Sequence, residues 1–444
     1  MGSTDVKTLT AQCYCKSVHF TITVPTTSLP LGVHLCHCHI CRYTHGTLCI
    51  FHAPLPAGVF PQFISPSSLD TSLTGYVHTE GAAAERFFCS TCGCHVGDRD
   101  LSPNPETGEV GWRVATSIFS EHGEDVFQIR THCFTTSAGG SGLYDWLPNM
   151  GDRKLQVFNP DPDTSAHFTI PRPPKPKQEF DQNGKERLRA ECHCGGVSFT
   201  MPRPNNIPGV ENDELTKGFT SPVDKTKWGG CVDLCDDCRL VDGTHVLGWT
   251  FVPRSQIQPP VSIDFKGFGT LKPYVSSKGT LRAFCGKCGA TVFFSCDDRT
   301  PSDEKQVVDV AVGILRAPEG IAAENWITWR TGRLGWTDSG RRFDPVFTES
   351  LEKGLKERIA NVNYNLSQFV WDREVLPITL PRRTVTRRRP ATTVTGPPTT
   401  VTGPATTVTV TATITANTGE DPQVVAAREV AAAIRDHESP TKVD

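Results

Sequence analysis

The chain carries the same set of cysteine spacings twice. Cys13-x-Cys15, Cys36-x-Cys38-x2-Cys41-Arg42 and Phe88-Cys89-x2-Cys92-Gly93 come first; Cys192-x-Cys194, Cys235-x2-Cys238-Arg239 and Phe284-Cys285-x2-Cys288-Gly289 follow. Thiolates this close along a chain suit a tetrahedral zinc ion, because one turn of backbone presents two sulfurs to one metal. The step from Cys41 to Cys89 agrees to one residue with the step from Cys238 to Cys285. Smaller echoes keep the register: Leu73-x-x-Tyr76-Val77 answers Leu271-x-x-Tyr274-Val275, and Gly46-Thr47 after Arg42 answers Gly243-Thr244 after Arg239. Copy two carries about eighteen extra residues between its first two motifs. They fall around 202–230, are rich in Pro, Asn, Asp and Lys, and predict a surface loop.

Two kinds of site follow. Cys13, Cys15, Cys89 and Cys92 would close a four-sulfur site that cross-links distant segments as a structural staple, with Cys192, Cys194, Cys285 and Cys288 as the counterpart. Cys36, Cys38 and Cys41 supply three sulfurs and leave a fourth position open to water or substrate. A thiol landing there would be deprotonated and a nearby carbonyl polarised. The alternative is that His37 or His39 closes the site and makes it inert, although on a strand both imidazoles point away from the cysteines. Arg42 and Arg239 could fork onto a substrate carboxylate or make a salt bridge within the fold. Cys49, Cys94, Cys133 and Cys296 have strand-like neighbours and read as small buried hydrophobes. A disulfide framework is the competing use of eighteen cysteines, disfavoured by the size of the domains and by the C-x-C and C-x2-C pairs.

In order and spacing these motifs resemble the glutathione-dependent formaldehyde-activating enzymes and their relatives named after centromere protein V, over residues 9–150 and again over 188–345. The resemblance implies a structural zinc on the C-x-C and C-x2-C-Gly cysteines, a second, catalytic zinc on the C-x-C-x2-C triplet, and a fold of coiled antiparallel sheets. It implies glutathione and formaldehyde, or a similar small aldehyde, as partners, and a carbon–sulfur lyase type of reaction. A non-catalytic zinc scaffold, or a glutathione carrier that binds protein or nucleic acid, is the other reading. The departures are specific. Copy one has Lys16-Ser17 where the family shows Gly-Gly, which copy two keeps as Gly195-Gly196. In copy two Asp233 stands where the first cysteine of the triplet belongs and Cys231 lies two residues earlier, so Cys231 or Asp233 would complete a set with Cys235 and Cys238. His132 ahead of Trp146 resembles the family's histidine-containing motif, while copy two has Thr328-Trp329-Arg330 there. Arg42 and His132 are the catalytic candidates. Copy one is therefore the better candidate for activity, and residues 1–155 alone are expected to retain it.

The elements that hold these residues read as mainly β. Val18, Phe20, Ile22 and Val24 alternate with polar residues, the period-two signature of a half-buried strand. Further β-rich stretches fall at 48–51, 114–119, 246–252, 292–294 and 308–315. The expected organisation is two zinc-stapled domains of antiparallel sheets (9–150 and 188–345) joined by a Pro-rich linker (151–187), then a disordered Thr/Pro-rich tail (381–444) ending in a short helix after Asp421-Pro422. No apolar run approaches the roughly 18 residues of a membrane span and the start lacks a signal-peptide pattern, so a cytoplasmic location is expected. Arg382-Arg383 with Arg387-Arg388-Arg389 offers a nuclear address as the alternative, or a solvated linker. A net charge of −3 argues against general nucleic-acid affinity.

Overall fold

The structure, a computed structural model, describes residues 5–158, 175–361, 400–403 and 406–409. In copy one, β1 (Val6–Gln12), β2 (His19–Pro25), β3 (Leu31–Cys36) and α1 (His39–His45) are followed by β4 (Ile50–Pro54), β5 (Gln62–Phe63), α2 (Leu69–Ser72) and β6 (Leu73–Tyr76). Then come β7 (Ala84–Cys89), β8 (His95–Asp100), β9 (Trp112–Ala115), β10 (Phe127–Cys133), α3 (Leu143–Trp146), β11 (Asn149–Met150), β12 (Arg153–Lys154) and β13 (Gln156–Phe158). Copy two runs β14 (Glu179–Phe180), β15 (Glu186–Glu191), β16 (Ser198–Pro202), α4 (Glu214–Lys217), β17 (Trp228–Asp233), α5 (Asp236–Asp242) and β18 (Leu247–Pro253). It ends in β19 (Leu271–Ser277), β20 (Thr280–Cys285), β21 (Thr291–Cys296), β22 (Val307–Ala311), β23 (Ile327–Trp329), α6 (Thr337–Phe343) and α7 (Pro345–Asn361).

The fold is mainly β, as the alternating patterns predict, and its sheets repeat. One large sheet has the order β13-β10-β3-β4-β9-β8-β7-β6; the other reads β23-β17-β18-β22-β21-β20-β19. Position for position, β3 to β10 of copy one match β17 to β23 of copy two once the short β5 is set aside. Each copy adds a three-stranded sheet, β1-β2-β5 and β14-β15-β16. The sheets are not purely antiparallel: β10 lies parallel to β3, with His132 opposite Leu35, and β23 lies parallel to β17.

Both copies belong to one compact unit, and a single apolar cluster of buried residues runs through them. Trp146 packs edge-on to Trp329 at 4.8 Å, Phe51 stacks on His245 at 4.5 Å, and Phe88 meets Phe284 at 6.2 Å. Backbone bonds cross between the copies in matched pairs: Tyr14 N donates to Leu240 O (3.1 Å) and His193 N to Tyr43 O (2.9 Å). The glycines that end α1 and α5 make the approach possible. Gly46 and Gly243 have φ of 78° and 70°, and a Cβ on either would collide with a carbonyl of the other copy, that of Thr291 or His95.

Three expectations change. The strands expected at 114–119 and 308–315 stop at Ala115 and Ala311 and turn as 3-10 helices (Thr116–Ile118, Val312–Ile314), the second where Gly313 N bonds to Gly46 O of the facing copy at 3.2 Å. The insertion at 202–230 is anchored rather than a plain surface loop: Phe219 is buried against Phe251 at 4.7 Å. α7 continues copy two past 345 onto copy one, where Phe347 packs on Phe51 at 5.6 Å and Ser350 Oγ accepts from Gly151 N at 2.8 Å. Residues 381–444 form a separate unit whose described part is a hairpin of β24 (Thr400–Gly403) and β25 (Thr406–Thr409). Most of the linker, the arginine run at 382–389 and the helix expected after Asp421 lie outside the described residues. Among those described, no helix is long and apolar enough to cross a membrane.

Candidate metal centres

Each staple gathers four sulfurs at the point where two hairpin turns meet. Cys13 and Cys15 sit in the turn from β1 to β2, Cys89 and Cys92 in that from β7 to β8, and all four sulfurs lie within 4.8 Å of one another. Sulfur separations of 3.5 Å (Cys13–Cys15), 3.5 Å (Cys15–Cys89) and 3.9 Å (Cys13–Cys89) bracket the ~3.8 Å edge of a tetrahedron with ~2.3 Å metal–sulfur bonds. Cys192, Cys194, Cys285 and Cys288 form the equivalent group, with Cys192–Cys194 and Cys194–Cys285 both at 3.5 Å. Backbone N–H groups point at the sulfurs, Val18 to Cys13 (3.4 Å) and Val197 to Cys192 (3.3 Å), which favours thiolates. None of the cysteines in these motifs is joined to another by a disulfide, so the disulfide alternative has no support here.

The copy-one triplet forms where β3 hands over to α1. Cys36 ends the strand, Cys38 caps the helix by accepting from Cys41 N at 3.3 Å, and Cys41 returns on the first turn. The three sulfurs lie within 4.8 Å of one another, and no imidazole nitrogen belongs to the group. Three donors and no fourth leave room for an exogenous ligand. Arg86 Nη2 points at Cys41 Sγ from 3.8 Å; the adjacent Cys36 and Cys38, with this guanidinium, hold Cys41 well below the usual thiol range. Phe134 packs against the cysteines in a left-handed backbone conformation (φ 56°), a strained state for an aromatic residue.

Both catalytic candidates bond to neighbouring residues. Arg42 is 3% exposed and spends its guanidinium on carbonyls, Nε to His37 O (2.9 Å) and Nη2 to Ser137 O (2.7 Å). It ties α1 to the loop after β10. His132 is fully buried behind the triplet, with Nδ1 2.9 Å from His37 Nε2 and Nε2 2.9 Å from Leu147 O. The carbonyl can only accept, so His132 carries its proton on Nε2 and His37 donates from its own Nε2. His37 Nδ1 is then a buried lone pair without a hydrogen-bond partner.

Burial pushes His132 down to about 4, against a smaller upward pull from the Leu147 carbonyl. A folded-state value below the ordinary 6.5 means that the unfolded chain takes the proton first. Stability should therefore fall as pH drops below about 6.5 and level off near 4, a loss on the order of 3 kcal/mol for this residue. His132→Gln should flatten the dependence of the urea midpoint on pH in that window; an unchanged slope would remove His132 as its source.

In copy two Asp233, Cys235 and Cys238 bring a carboxylate and two sulfurs within 4.8 Å. Cys231, the other expected ligand, is not in the group. Arg282 Nη1 faces Cys238 Sγ at 3.4 Å as Arg86 faces Cys41. Trp336 repeats the left-handed geometry of Phe134 (φ 56°) but is 68% exposed. Sequence reasoning missed both arginines, although Arg86 and Arg282 each stand three residues before the Cys-x2-Cys motif.

A two-copy β protein with paired cysteine centres of metal-binding geometry is thus the class that fold and sites define. Residues 8–137 match the family described as glutathione-dependent formaldehyde-activating enzyme. The match spans the staple, the Cys36–Cys38–Cys41 triplet and His132. Among curated proteins none matches the chain.

Proposed function

We propose that this chain is a tandemly duplicated, zinc-dependent carbon–sulfur lyase-type enzyme acting on the glutathione adduct of formaldehyde or a similar small aldehyde, with its reactive centre in copy one. The observation that carries the reading is the three-sulfur cluster of Cys36, Cys38 and Cys41, which has no fourth protein donor among the described residues and lies inside the matched family segment. Zinc bound there would supply a positive charge that lowers the pKa of an incoming thiol and polarises a carbonyl.

The chain's own residues set the geometry. Arg86 supports the anionic form of Cys41, the His132–His37 chain braces the strand end that carries Cys36, and Phe134 covers the cluster on one side. In the adduct-forming direction a thiolate sulfur bonds to the aldehyde carbon and the carbonyl oxygen takes up a proton, giving an S-hydroxymethyl thioether. The lyase direction breaks that carbon–sulfur bond and returns the thiol and the aldehyde.

Cys38→Ser should lower glutathione-dependent turnover by ~10²-fold or more while circular dichroism stays native, because the triplet holds no segments together that the staple does not. Binding of glutathione without turnover by the wild-type protein would favour the carrier reading instead. Loss of fold in Cys38→Ser equal to that in Cys89→Ser would make the triplet structural.

A further inference from the structure

The two three-ligand sites occupy equivalent places, so each serves as a control for the other. Facing α1, copy two brings His193, which lies between Cys192 and Cys194, and Arg316, which follows the turn after β22. The Arg316 guanidinium lies 3.2 Å from the centroid of the Tyr43 ring, and Tyr43 in turn meets His39 at 6.2 Å. His193 Nδ1 is 2.8 Å from the Tyr76 hydroxyl, and its ring stands edge-on to His78 at 5.8 Å. His78 Nδ1 is 3.2 Å from Arg86 Nη1, whose other nitrogen points at Cys41. A continuous row of cationic and imidazole groups thus runs from the triplet to the opposite copy. The carboxylate that meets Arg316 is Glu191, at 3.7 Å, and Arg316 Nη2 also donates to Cys192 O at 3.4 Å.

At the copy-two triplet only the arginine nearest the sulfurs is kept, Arg282. Tyr14 makes the backbone bond that His193 makes, and Ser120 stands where Arg316 does, each donating its N–H to the strand before the C-x-C turn (Ser120 to Thr10 O, 3.0 Å; Arg316 to Arg189 O, 2.8 Å). Ser276 replaces His78, and Asp236 replaces His39 and pairs with Arg239 at 3.2 Å and Arg342 at 3.4 Å. Arg282 keeps the place of Arg86 there, while Ser120 stands for Arg316 and Tyr14, Ser276 and Asp236 stand for the three imidazoles.

We infer that Arg316 and His193 of copy two, with Arg86, form the carboxylate-binding wall of the copy-one site, so that copy two selects thiols bearing a carboxylate for the centre in copy one. This rests on the reading of copy one as the glutathione site. A guanidinium that bonds a carboxylate at a partly covered site, as Arg316 is with 16% of its side chain exposed, adds affinity and tells an acidic thiol from a neutral one.

The test is calorimetric binding of glutathione and of 2-mercaptoethanol to the full-length, zinc-loaded chain. Arg316→Ala should weaken glutathione about tenfold and leave 2-mercaptoethanol unchanged, with Arg316→Lys intermediate and Ser120→Ala like wild type. Arg316→Gln, which retains a donor for the Cys192 carbonyl, is the second variant should the alanine change disturb folding. Wild-type affinity for glutathione in these variants, or an equal loss for both thiols, would overturn the inference and leave the functional reading standing. A wild-type protein that binds neither thiol would overturn both.

Discussion

Replacing Cys285 by serine is expected to unfold residues 5–361 in one transition, not copy two alone. Cys285 lies 3.5 Å from Cys194 and takes bonds from Cys288 N at 3.4 Å and from the Thr270 hydroxyl at 3.0 Å, so it ties the turn between β15 and β16 to the one between β20 and β21. A structural zinc contributes on the order of 10–16 kcal/mol, as much as the roughly 5–15 kcal/mol by which a whole domain is stable. The loss cannot stay local. His193, inside the same C-x-C turn, bonds to Tyr43 of copy one, and Phe284, next to Cys285, packs against Phe88. Circular dichroism with zinc analysis should show one collapse; half the native signal remaining, with its own melting transition, would mean that the copies fold independently.

Residues 1–158 expressed alone are expected not to fold, which reverses the expectation from sequence that the first copy would be active by itself. Cut free, the fragment would expose Phe51, Phe88 and Trp146, all less than 2% exposed in the intact chain. Their partners Phe347, His245, Phe284 and Trp329 would be missing. Each large apolar side chain returned to water costs about 1.5–3 kcal/mol, so three or four of them consume most of a typical net stability. The fragment should be insoluble or lack cooperative unfolding, and co-expression with 175–361 should rescue it. A soluble 1–158 that melts cooperatively and binds glutathione would contradict this.

The cysteine centres are legible in the sequence because metal ligation is written in short spacings. C-x-C and C-x2-C fix which sulfurs share a turn, and the repeat tells which turns meet. The strand at 18–24 is legible for the same local reason, its period of two. What local pattern cannot carry is the meeting of the copies. Nothing in the mostly apolar run from Val308 to Leu315 marks the point where Gly313 touches Gly46, so the strand reads longer than it is. α7 has its signals in Asp344-Pro345 at the start and Phe347, Leu351 and Leu355 four apart, but its apolar face reads as core only once copy one is there to cover it. Arg42 and His132 are legible as residue types, but their bonds to the His37, Ser137 and Leu147 carbonyls depend on burial and partners that no local spacing marks.

The covalent joining of the two copies has a consequence for concentration. Two separate chains that complete one another's site through contacts such as His193 with Tyr43 would come apart on dilution. Here residues 159–174 join them, and association becomes intramolecular, with an effective concentration on the order of millimolar for a short connection. The interface therefore need not be strong enough to survive at cellular protein levels, and the two halves need not be identical. One half can carry Asp233 in place of the first cysteine, and Tyr14 and Ser120 in place of His193 and Arg316, while the other keeps its three sulfurs, an asymmetry closed to a dimer of identical chains.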